Sequence, residues 1–165
     1  MDVTSTQTLF GVEGMVVVIT GGATGIVKAS RLSFFIRMLT YRAGIGLMMT
    51  KAFAANGAKV YIVGRRKEKL DEAAKLAPER IIPLVGDVTS KHSLHQVAGQ
   101  VEKDAGFVNL LVCNSGTMAP VLKVSSDEVS VKEYAKAAMD LNMDDWNQQF
   151  SANITGLMYV ESEQA

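Results

Sequence analysis

The stretch MVVVITGGATG, residues 15–25, decides the fold. Residues 15–20 are apolar or β-branched without polar alternation, which predicts a buried strand, and the glycines that follow predict a tight turn. Glycines at such a turn let a phosphate group approach backbone N–H groups, because no Cβ intrudes, provided that a helix begins directly beneath the turn. The sequence therefore predicts a phosphate-binding turn after the first strand.

This turn is interrupted. A Thr-Gly-x-x-x-Gly-x-Gly pattern begins at Thr20 and reaches Gly25, but Val27 stands where the last glycine is expected. That glycine comes later, at Gly46, directly before the run LMMTKAFAANG, which predicts a helix and its glycine stop. Deleting the 19 residues 27–45 gives the uninterrupted sequence TGGATGIG. We therefore predict an insertion at 27–45 within one phosphate-binding loop.

The rejoined loop resembles that of the short-chain dehydrogenase/reductase family, which has the form T-G-x-x-x-G-x-G. The resemblance implies a Rossmann domain that binds NAD(P) and, in the family, transfers a hydride to or from a small carbonyl or alcohol substrate. The residues that it places at the cofactor here are Thr20, Gly21, Gly25, Ile45 and Gly46.

Four short apolar runs alternate with helical patterns along the chain. They are rich in Val, Ile and Leu, as are parallel strands covered by helices on both faces, and they span residues 15–20, 59–63, 81–85 and 109–113. Right-handed crossovers order four such strands 3-2-1-4, with a ligand crevice at the carboxyl ends of strands one and four. The predicted fold class is α/β, a partial doubly wound (Rossmann) parallel sheet that forms a single incomplete domain over residues 1–165.

Two arginines follow the second strand. An acidic residue at this position suits the ribose hydroxyls of NAD, whereas arginine suits a 2′-phosphate. By resemblance to NADPH-preferring family members, Arg65 and, as a second choice, Arg66 are assigned to that phosphate, so NADP(H) is favoured over NAD(H) as the cofactor. The alternative is that these arginines are ordinary solvent-exposed basic residues at the start of a helix.

An acidic residue follows the third strand, in the run Gly86-Asp87-Val88. In the family, an acidic side chain here accepts a hydrogen bond from the adenine amino group, and the next residue lines the ring, which assigns Asp87 and Val88 to the cofactor. The alternative is that Asp87 caps the helix that starts near Thr89 or Ser90.

The fourth strand ends in Asn114-Ser115-Gly116. This run resembles the family's Asn-Asn-Ala-Gly motif, in which an asparagine steadies the sheet and small residues let the cofactor pass. Asn114 and Gly116 match the motif, whereas Ser115 and Thr117 depart from it modestly. These departures do not forbid cofactor binding, although the larger polar side chains could crowd the ribose. The alternative is a plain polar turn after a strand.

A helical pattern near the carboxyl end, WNQQFSAN, ends at Asn153. It resembles the family helix whose asparagine belongs to the catalytic tetrad and holds a proton-relay water, and Asn153 takes that position. On the same helix, Trp146 and Phe150 lie one turn apart, and we expect them to pack into the core rather than to contact substrate.

The rest of the family's catalytic set is absent from the sequence. No tyrosine is followed by lysine four residues later, and the serine of the preceding strand cannot be placed. The expected function is thus an NADP(H)-binding oxidoreductase fragment without activity. The alternative is a noncatalytic nucleotide-binding or protein-interaction module that uses the insertion or the exposed edge of strand four, where self-association is expected.

The composition of the chain bears on its partners, its disulfides, its location and metal binding. Seventeen basic and 17 acidic residues cancel, which gives no indication of a nucleic-acid or anionic membrane partner. A single cysteine allows no intramolecular disulfide, and neither a secretory leader nor a membrane-spanning run is recognisable, so a cytoplasmic location is expected. The two histidines, His92 and His95, lack further ligands nearby, so no metal site is predicted.

The insertion itself differs in charge from the rest of the chain. It carries four basic residues and no acidic one, so the chain without it would have 13 basic and 17 acidic residues. A segment that interrupts a motif, restores it on removal and keeps the frame resembles a translated intervening sequence or a gene-model error. Sequencing the transcript tests this hypothesis, and a mature message that retains all 19 codons would count strongly against it.

Overall fold

The computed structural model describes residues 11–23, 44–117, 130–140, 142–156 and 158. Within these ranges, four parallel strands form one sheet in the order β3-β2-β1-β4, where β1 is Val16–Thr20, β2 Lys59–Gly64, β3 Ile81–Val85 and β4 Leu110–Cys113. The helices are α1 Ile45–Ala55, α2 Lys67–Ala74, α3 Lys91–Ala105, α4 Val131–Met139 and α5 Met143–Phe150, and a π-helical turn, Ser151–Thr155, continues α5. The predicted doubly wound parallel sheet is confirmed.

The central strands are buried on both faces, because side chains alternate along each strand and both faces are covered. Val17 and Ile19 of β1 pack in a cluster with apolar residues of α1 and α2. Val16 and Val18 pack in a second cluster with apolar residues of α3. Helices therefore lie on both faces of the sheet, as the uninterrupted apolar runs predict.

The ends of α3 follow from local sequence. The Ser90 hydroxyl accepts a hydrogen bond from the backbone N–H of Ser93 at the amino end, and Gly106 ends the helix with a left-handed φ of 77°. The alternative interpretation of Asp87 as the cap is therefore wrong, because Ser90 occupies the cap position.

Two predictions fall partly outside the described residues. Gly25 lies there, as do residues 27–43 of the predicted insertion. The last two residues of that insertion belong to the described fold, since Gly44 precedes α1 and Ile45 is its first residue. Among the described helices, none is long and apolar enough to cross a membrane.

Candidate functional site

The first part of the site is the turn that follows β1. Gly21 adopts a left-handed φ of 70°, and its backbone N–H donates to the Val63 carbonyl at 2.7 Å. A Cβ at Gly21 would lie 3.0 Å from Asn114 Nδ2 and 3.3 Å from Ser115 Oγ. Both the backbone conformation and the close neighbours therefore require glycine here, as the turn pattern predicts.

The amino end of α1 lies directly against this turn. A Cβ built on Gly46 would overlap the Gly21 carbonyl oxygen and would lie 2.5 Å from Asn114 Nδ2. The buried Thr50 hydroxyl lies 2.9 Å from both the Gly22 and the Gly46 carbonyl oxygens, so it links the turn to the helix. Residues 25 positions apart in the chain are thus held together as one unit.

Thr20 connects this unit to the loop after β4. Its buried hydroxyl accepts hydrogen bonds from the backbone N–H groups of Asn114 (3.1 Å) and Ser115 (3.0 Å). In return, Asn114 Nδ2 donates to the Thr20 carbonyl at 3.1 Å and approaches the Gly21 carbonyl at 3.4 Å. The side chains of Thr20 and Asn114 therefore set the geometry of the crevice between β1 and β4.

Asn153 holds the same loop from the other side. Its Oδ1 accepts from the Thr117 backbone N–H at 2.7 Å, and its Nδ2 donates to the Thr117 carbonyl at 2.8 Å. A Cβ on Gly116 would lie 3.0 Å from Asn153 Oδ1. The side-chain amide of Asn153 is thus committed to backbone, and π-helical turns such as the one that carries it are frequent at functional sites.

The continuation of α5 also reaches the loop after β3. A Cβ on Gly156 would lie 2.9 Å from the Val88 carbonyl oxygen, so the helix backbone packs closely on this loop. One helical segment therefore contacts the loops that follow both outer strands of the sheet. Val88 lies at the carboxyl edge, where it was predicted, with its backbone against the helix.

Asp87 lies in the same loop with its carboxylate oriented by Thr89. Its Oδ1 accepts from the Thr89 backbone N–H at 2.9 Å and the Thr89 hydroxyl at 2.7 Å, and its own N–H donates to Ser93 Oγ at 3.0 Å. Partial burial acts to raise the pKa of Asp87, but the hydrogen bonds from Thr89 and the charge of Arg65 outweigh it and hold the pKa below its ordinary value of 3.8. The Asp87 carboxylate is therefore ionised and can accept hydrogen bonds.

Arg65 and Arg66 lie at the carboxyl end of β2, as predicted. Arg65 is exposed, and its charge acts on Asp87 across the neighbouring strand end. Arg66 is exposed and stands at the position that precedes α2. The carboxyl edge of β2 and β3 thus presents a cation beside an oriented carboxylate.

The structure brings together most of the predicted residues and adds two that the sequence analysis missed. Thr50 and Ser93 fix backbone around the site through their hydroxyls. The available signal for Thr50 was weak: a hydroxyl residue one turn after Gly46, in a helix whose other residues are apolar or glycine except Lys51. Ile45, which was also predicted to lie at the cofactor, has a side chain that is 70% exposed. Among the described residues, no group of three or more metal-ligating side chains lies together.

Comparison with known proteins identifies the family to which this chain belongs. The family model for short chain dehydrogenase matches residues 39–164. The chain is 39% identical over 148 residues to the short-chain dehydrogenase/reductase PhomF of Diaporthe leptostromiformis, which covers 88% of this chain and 44% of that protein. It is 43% identical over 117 residues to the short-chain dehydrogenase/reductase VdtF of Byssochlamys spectabilis, covering 70% of this chain and 32% of that protein. The chain belongs to the short-chain dehydrogenase family.

Solved structures agree on the fold. A short chain dehydrogenase from Bacillus anthracis str. 'Ames Ancestor' superimposes with a TM-score of 0.64 at 25% identity, covering 90% of this chain and 48% of that one. An L-sorbose reductase from Gluconobacter frateurii, solved with NADPH and L-sorbose, superimposes with a TM-score of 0.66 at 23% identity, covering 93% and 47%. The chain spans about half the length of these structures and less than half that of the curated relatives.

Proposed function

We propose that this chain is the cofactor-binding half of a short-chain-type oxidoreductase and that it binds NADP(H) at the carboxyl edge of its sheet. The observation that carries the proposal is the contact between Gly21 and Gly46, where an added Cβ would meet backbone. Such close approach leaves backbone N–H groups bare at the start of a helix, which suits a pyrophosphate. Thr20 and Asn114 would hold this surface in place beside the cofactor.

The preference for the 2′-phosphorylated cofactor is assigned to Arg65, with Arg66 beside it. Arginine is suited to a phosphate monoester because it offers several donors in a fixed plane. Asp87 would accept a hydrogen bond from the adenine amino group, because its carboxylate is ionised at neutral pH and is oriented by Thr89. Val88 would line the adenine, and Gly116 would let the nicotinamide ribose pass.

An experiment tests the cofactor assignment. The melting temperature of the purified chain is measured without ligand, with NADPH and with NADH, because a ligand that binds the folded state raises it. We expect NADPH to give the larger rise, and Arg65→Ala to lower the NADPH response to the NADH level. Lys103→Ala is the matched control, since this exposed lysine lies near the end of α3, at the opposite edge of the sheet. Equal responses to both cofactors in the unaltered chain would overturn the preference.

We infer that the chain transfers no hydride by itself. When bound, the dinucleotide supplies the hydride, but the proton donor is missing, because no tyrosine in the sequence has a lysine four residues later. The amide of Asn153 holds the Thr117 backbone, which makes it a positioning residue for the loop after β4 in this proposal. Reproducible reduction of simple ketones by the purified chain with NADPH would contradict this inference.

A second candidate function is a noncatalytic interaction module. Among the described strands, β4 has β1 as its neighbour on one side and none on the other, and its residues are half-buried. Exposed apolar residues also follow helical spacing along α5 and its continuation, namely Met143, Trp146, Phe150 and Ile154. Light scattering of the purified chain tests this candidate: a monomer at all concentrations, with NADPH bound, would exclude self-association.

A further inference from the structure

Three polar side chains join β2 to the end of α3, away from the crevice. The Tyr61 hydroxyl donates a hydrogen bond to Asp104 Oδ2, and Lys59 Nζ lies 2.8 Å from the same oxygen. The Lys59 ammonium group also lies 5.3 Å from the centre of the Tyr61 ring. Lys59 is the first residue of β2, so this polar cluster, Lys59, Tyr61 and Asp104, lies towards the amino edge of the sheet, opposite the proposed cofactor site.

Tyr61 is the buried member of the polar cluster. It is 1% exposed, and burial raises the pKa of its hydroxyl, so the proton that it donates is retained at neutral pH. A buried hydroxyl without an acceptor is costly, and Asp104 is the acceptor that the fold supplies. The Lys59–Asp104 ion pair is solvent-exposed and screened, so it adds little. The hydrogen bond from Tyr61 therefore holds the end of α3 to β2 more firmly than the ion pair does.

The other end of α3 lies against the loop after β3. Ser93 Oγ accepts a hydrogen bond from the Asp87 backbone N–H at 3.0 Å. A Cβ built on Gly86 would lie 2.8 Å from Val97 Cγ2 on α3 and 2.9 Å from Val63 Cγ1 on β2. The loop, the helix and the strand are thus in close contact. A shift of α3 would therefore move the backbone of Asp87.

Helix α3 connects the polar cluster with this loop. About 16 Å of helix separates Ser93 from Asp104, at a rise of about 1.5 Å per residue. Along this length, Val97 and Val101 pack in one buried cluster with side chains of β2. Apolar packing is non-directional, whereas a hydrogen bond fixes both direction and distance. The hydrogen bonds at the two ends of α3 therefore set its position along the sheet more sharply than its apolar face does.

We propose that Asp104 is a positioning residue for Asp87 and acts through Tyr61 and the length of α3. The inference rests on the proposed function, in which Asp87 accepts a hydrogen bond from the adenine amino group. Asp104 contacts neither cofactor nor substrate. Its bond to Tyr61 keeps Ser93 where it holds the Asp87 backbone, so that the carboxylate meets the amino group at hydrogen-bond distance. The polar cluster at the amino edge of the sheet thus affects how well the carboxyl edge distinguishes one purine base from another.

Base selectivity measures this effect apart from overall affinity. The full chain is titrated with NADPH and with reduced nicotinamide hypoxanthine dinucleotide phosphate, in which a carbonyl oxygen replaces the amino group, and nicotinamide fluorescence gives each dissociation constant. We expect the unaltered chain to prefer NADPH by about tenfold or more, because the analogue turns that oxygen towards the Asp87 carboxylate. Asp87→Ala should remove the preference and serves as the reference.

Variants of the polar cluster then test the inference. Tyr61→Phe and Asp104→Ala each remove the hydrogen bond, and we expect each to lower the base preference by about threefold or more. Asp104→Asn retains an acceptor for Tyr61 and should keep the preference within about twofold of the unaltered chain. Asp71→Ala is the matched control, because it breaks another exposed lysine–aspartate pair, Lys67–Asp71 on α2, and should change the preference by less than about 1.5-fold.

Hydrogen exchange of the Asp87 amide is a second measurement that needs no ligand. Because this N–H donates to Ser93 Oγ, we expect its exchange to be faster by about threefold or more in Tyr61→Phe and Asp104→Ala. Exchange in Asp71→Ala should match that of the unaltered chain. A lower melting temperature with base preference and Asp87 exchange both unaltered would make the polar cluster purely structural and overturn the inference, as would equal changes in the control.

The two measurements separate this inference from the proposed function. NADPH binding without any base preference would overturn the adenine contact and the role of Asp104 in selectivity, while leaving NADP(H) binding intact. If the unaltered chain binds neither dinucleotide, the proposed function fails. Exchange of the Asp87 amide then decides by itself whether Asp104 positions this loop.

Discussion

The β1–β2 half of the sheet and the β4–α5 region differ in how much apolar surface they bury. Ile19 and Ile62 have no exposed surface, whereas Phe150 and Ile154 are 53% and 49% exposed. The residues of β4 are half-buried, and no residue of α5 is buried. The first region is held by packing on both faces, while polar contacts such as those of Asn114 and Asn153 position the second. The backbone that lines the crevice is therefore held by core packing on the β1–β2 side. On the β4–α5 side it is held by a few hydrogen bonds.

The largest expected effect tests this contrast directly. Ile62→Ala leaves a cavity in the fully buried core and should lower the free energy of unfolding by about 2 to 5 kcal/mol. Ile154→Ala removes the same atoms from an exposed position and should cost less than about 0.5 kcal/mol. Urea unfolding measures both, and equal costs would show that the β4–α5 region is packed after all.

The second prediction concerns the junction of the turn with α1. Gly46→Ala introduces a methyl group that meets the Gly21 carbonyl and Asn114, so we expect a loss of about 1 to 3 kcal/mol in unfolding free energy. Gly99→Ala is the control, because a Cβ there meets nothing within 4 Å and a mid-helix alanine should stabilise α3 by about 0.5 to 1 kcal/mol. A tolerated Gly46→Ala would mean that the turn and helix can separate.

The third prediction concerns the polar contacts of the second region. Asn153→Ala removes both hydrogen bonds to Thr117, and we expect the Thr117 amide to exchange faster with deuterium and the unfolding free energy to fall by about 1 kcal/mol. Gln148→Ala, an exposed change in α5, is the control and should leave the exchange of Thr117 unchanged. Unaltered Thr117 exchange in Asn153→Ala would remove Asn153 from the positioning of this loop.

The smallest effect is a dependence on pH at the β2–β3 edge. Because the folded pKa of Asp87 is lowered, its contribution to stability is present above the unfolded pKa of about 3.9 and is lost as pH falls through the folded pKa. The contribution should stay under about 1 kcal/mol, since Asp87 is largely solvated. Stability measured from pH 5 to pH 2 should fall less steeply in Asp87→Asn than in the unaltered chain. An unchanged slope would show that Thr89 and Arg65 do not act on this carboxylate.

Much of the fold followed from local patterns. The strands begin and end within about one residue of the apolar runs, because parallel strands buried on both faces need uninterrupted Val and Ile. Their order followed from right-handed crossovers, which apply to any such alternation of strands and helices. The approach of Gly46 to Gly21 was predicted as well, because the glycine pattern that begins at Thr20 is completed at Gly46, directly before an apolar helix.

Other features depended on neighbours that the sequence does not name. The expectation that Trp146 and Phe150 enter the core was wrong: their rings stack 6.3 Å apart on an exposed face, with Trp146 39% exposed. Helical spacing indicates a shared face but not what covers it. The capping alternative for Asp87 failed because Ser90 stands one turn before Leu94 and bonds Ser93 instead.

The amino-acid sequence by itself determined the sheet, its strand order and the need for glycines where β1 meets α1, because these depend on side-chain period, chirality and the absence of Cβ. Only the tertiary structure decided that Thr50 joins the turn to the helix, that Asn153 holds Thr117, and that Gly44 enters α1. Those outcomes depend on which backbone groups approach within hydrogen-bond distance across long stretches of chain. Such distances are set when the helices pack on the two faces of the sheet, so they cannot be predicted from local sequence.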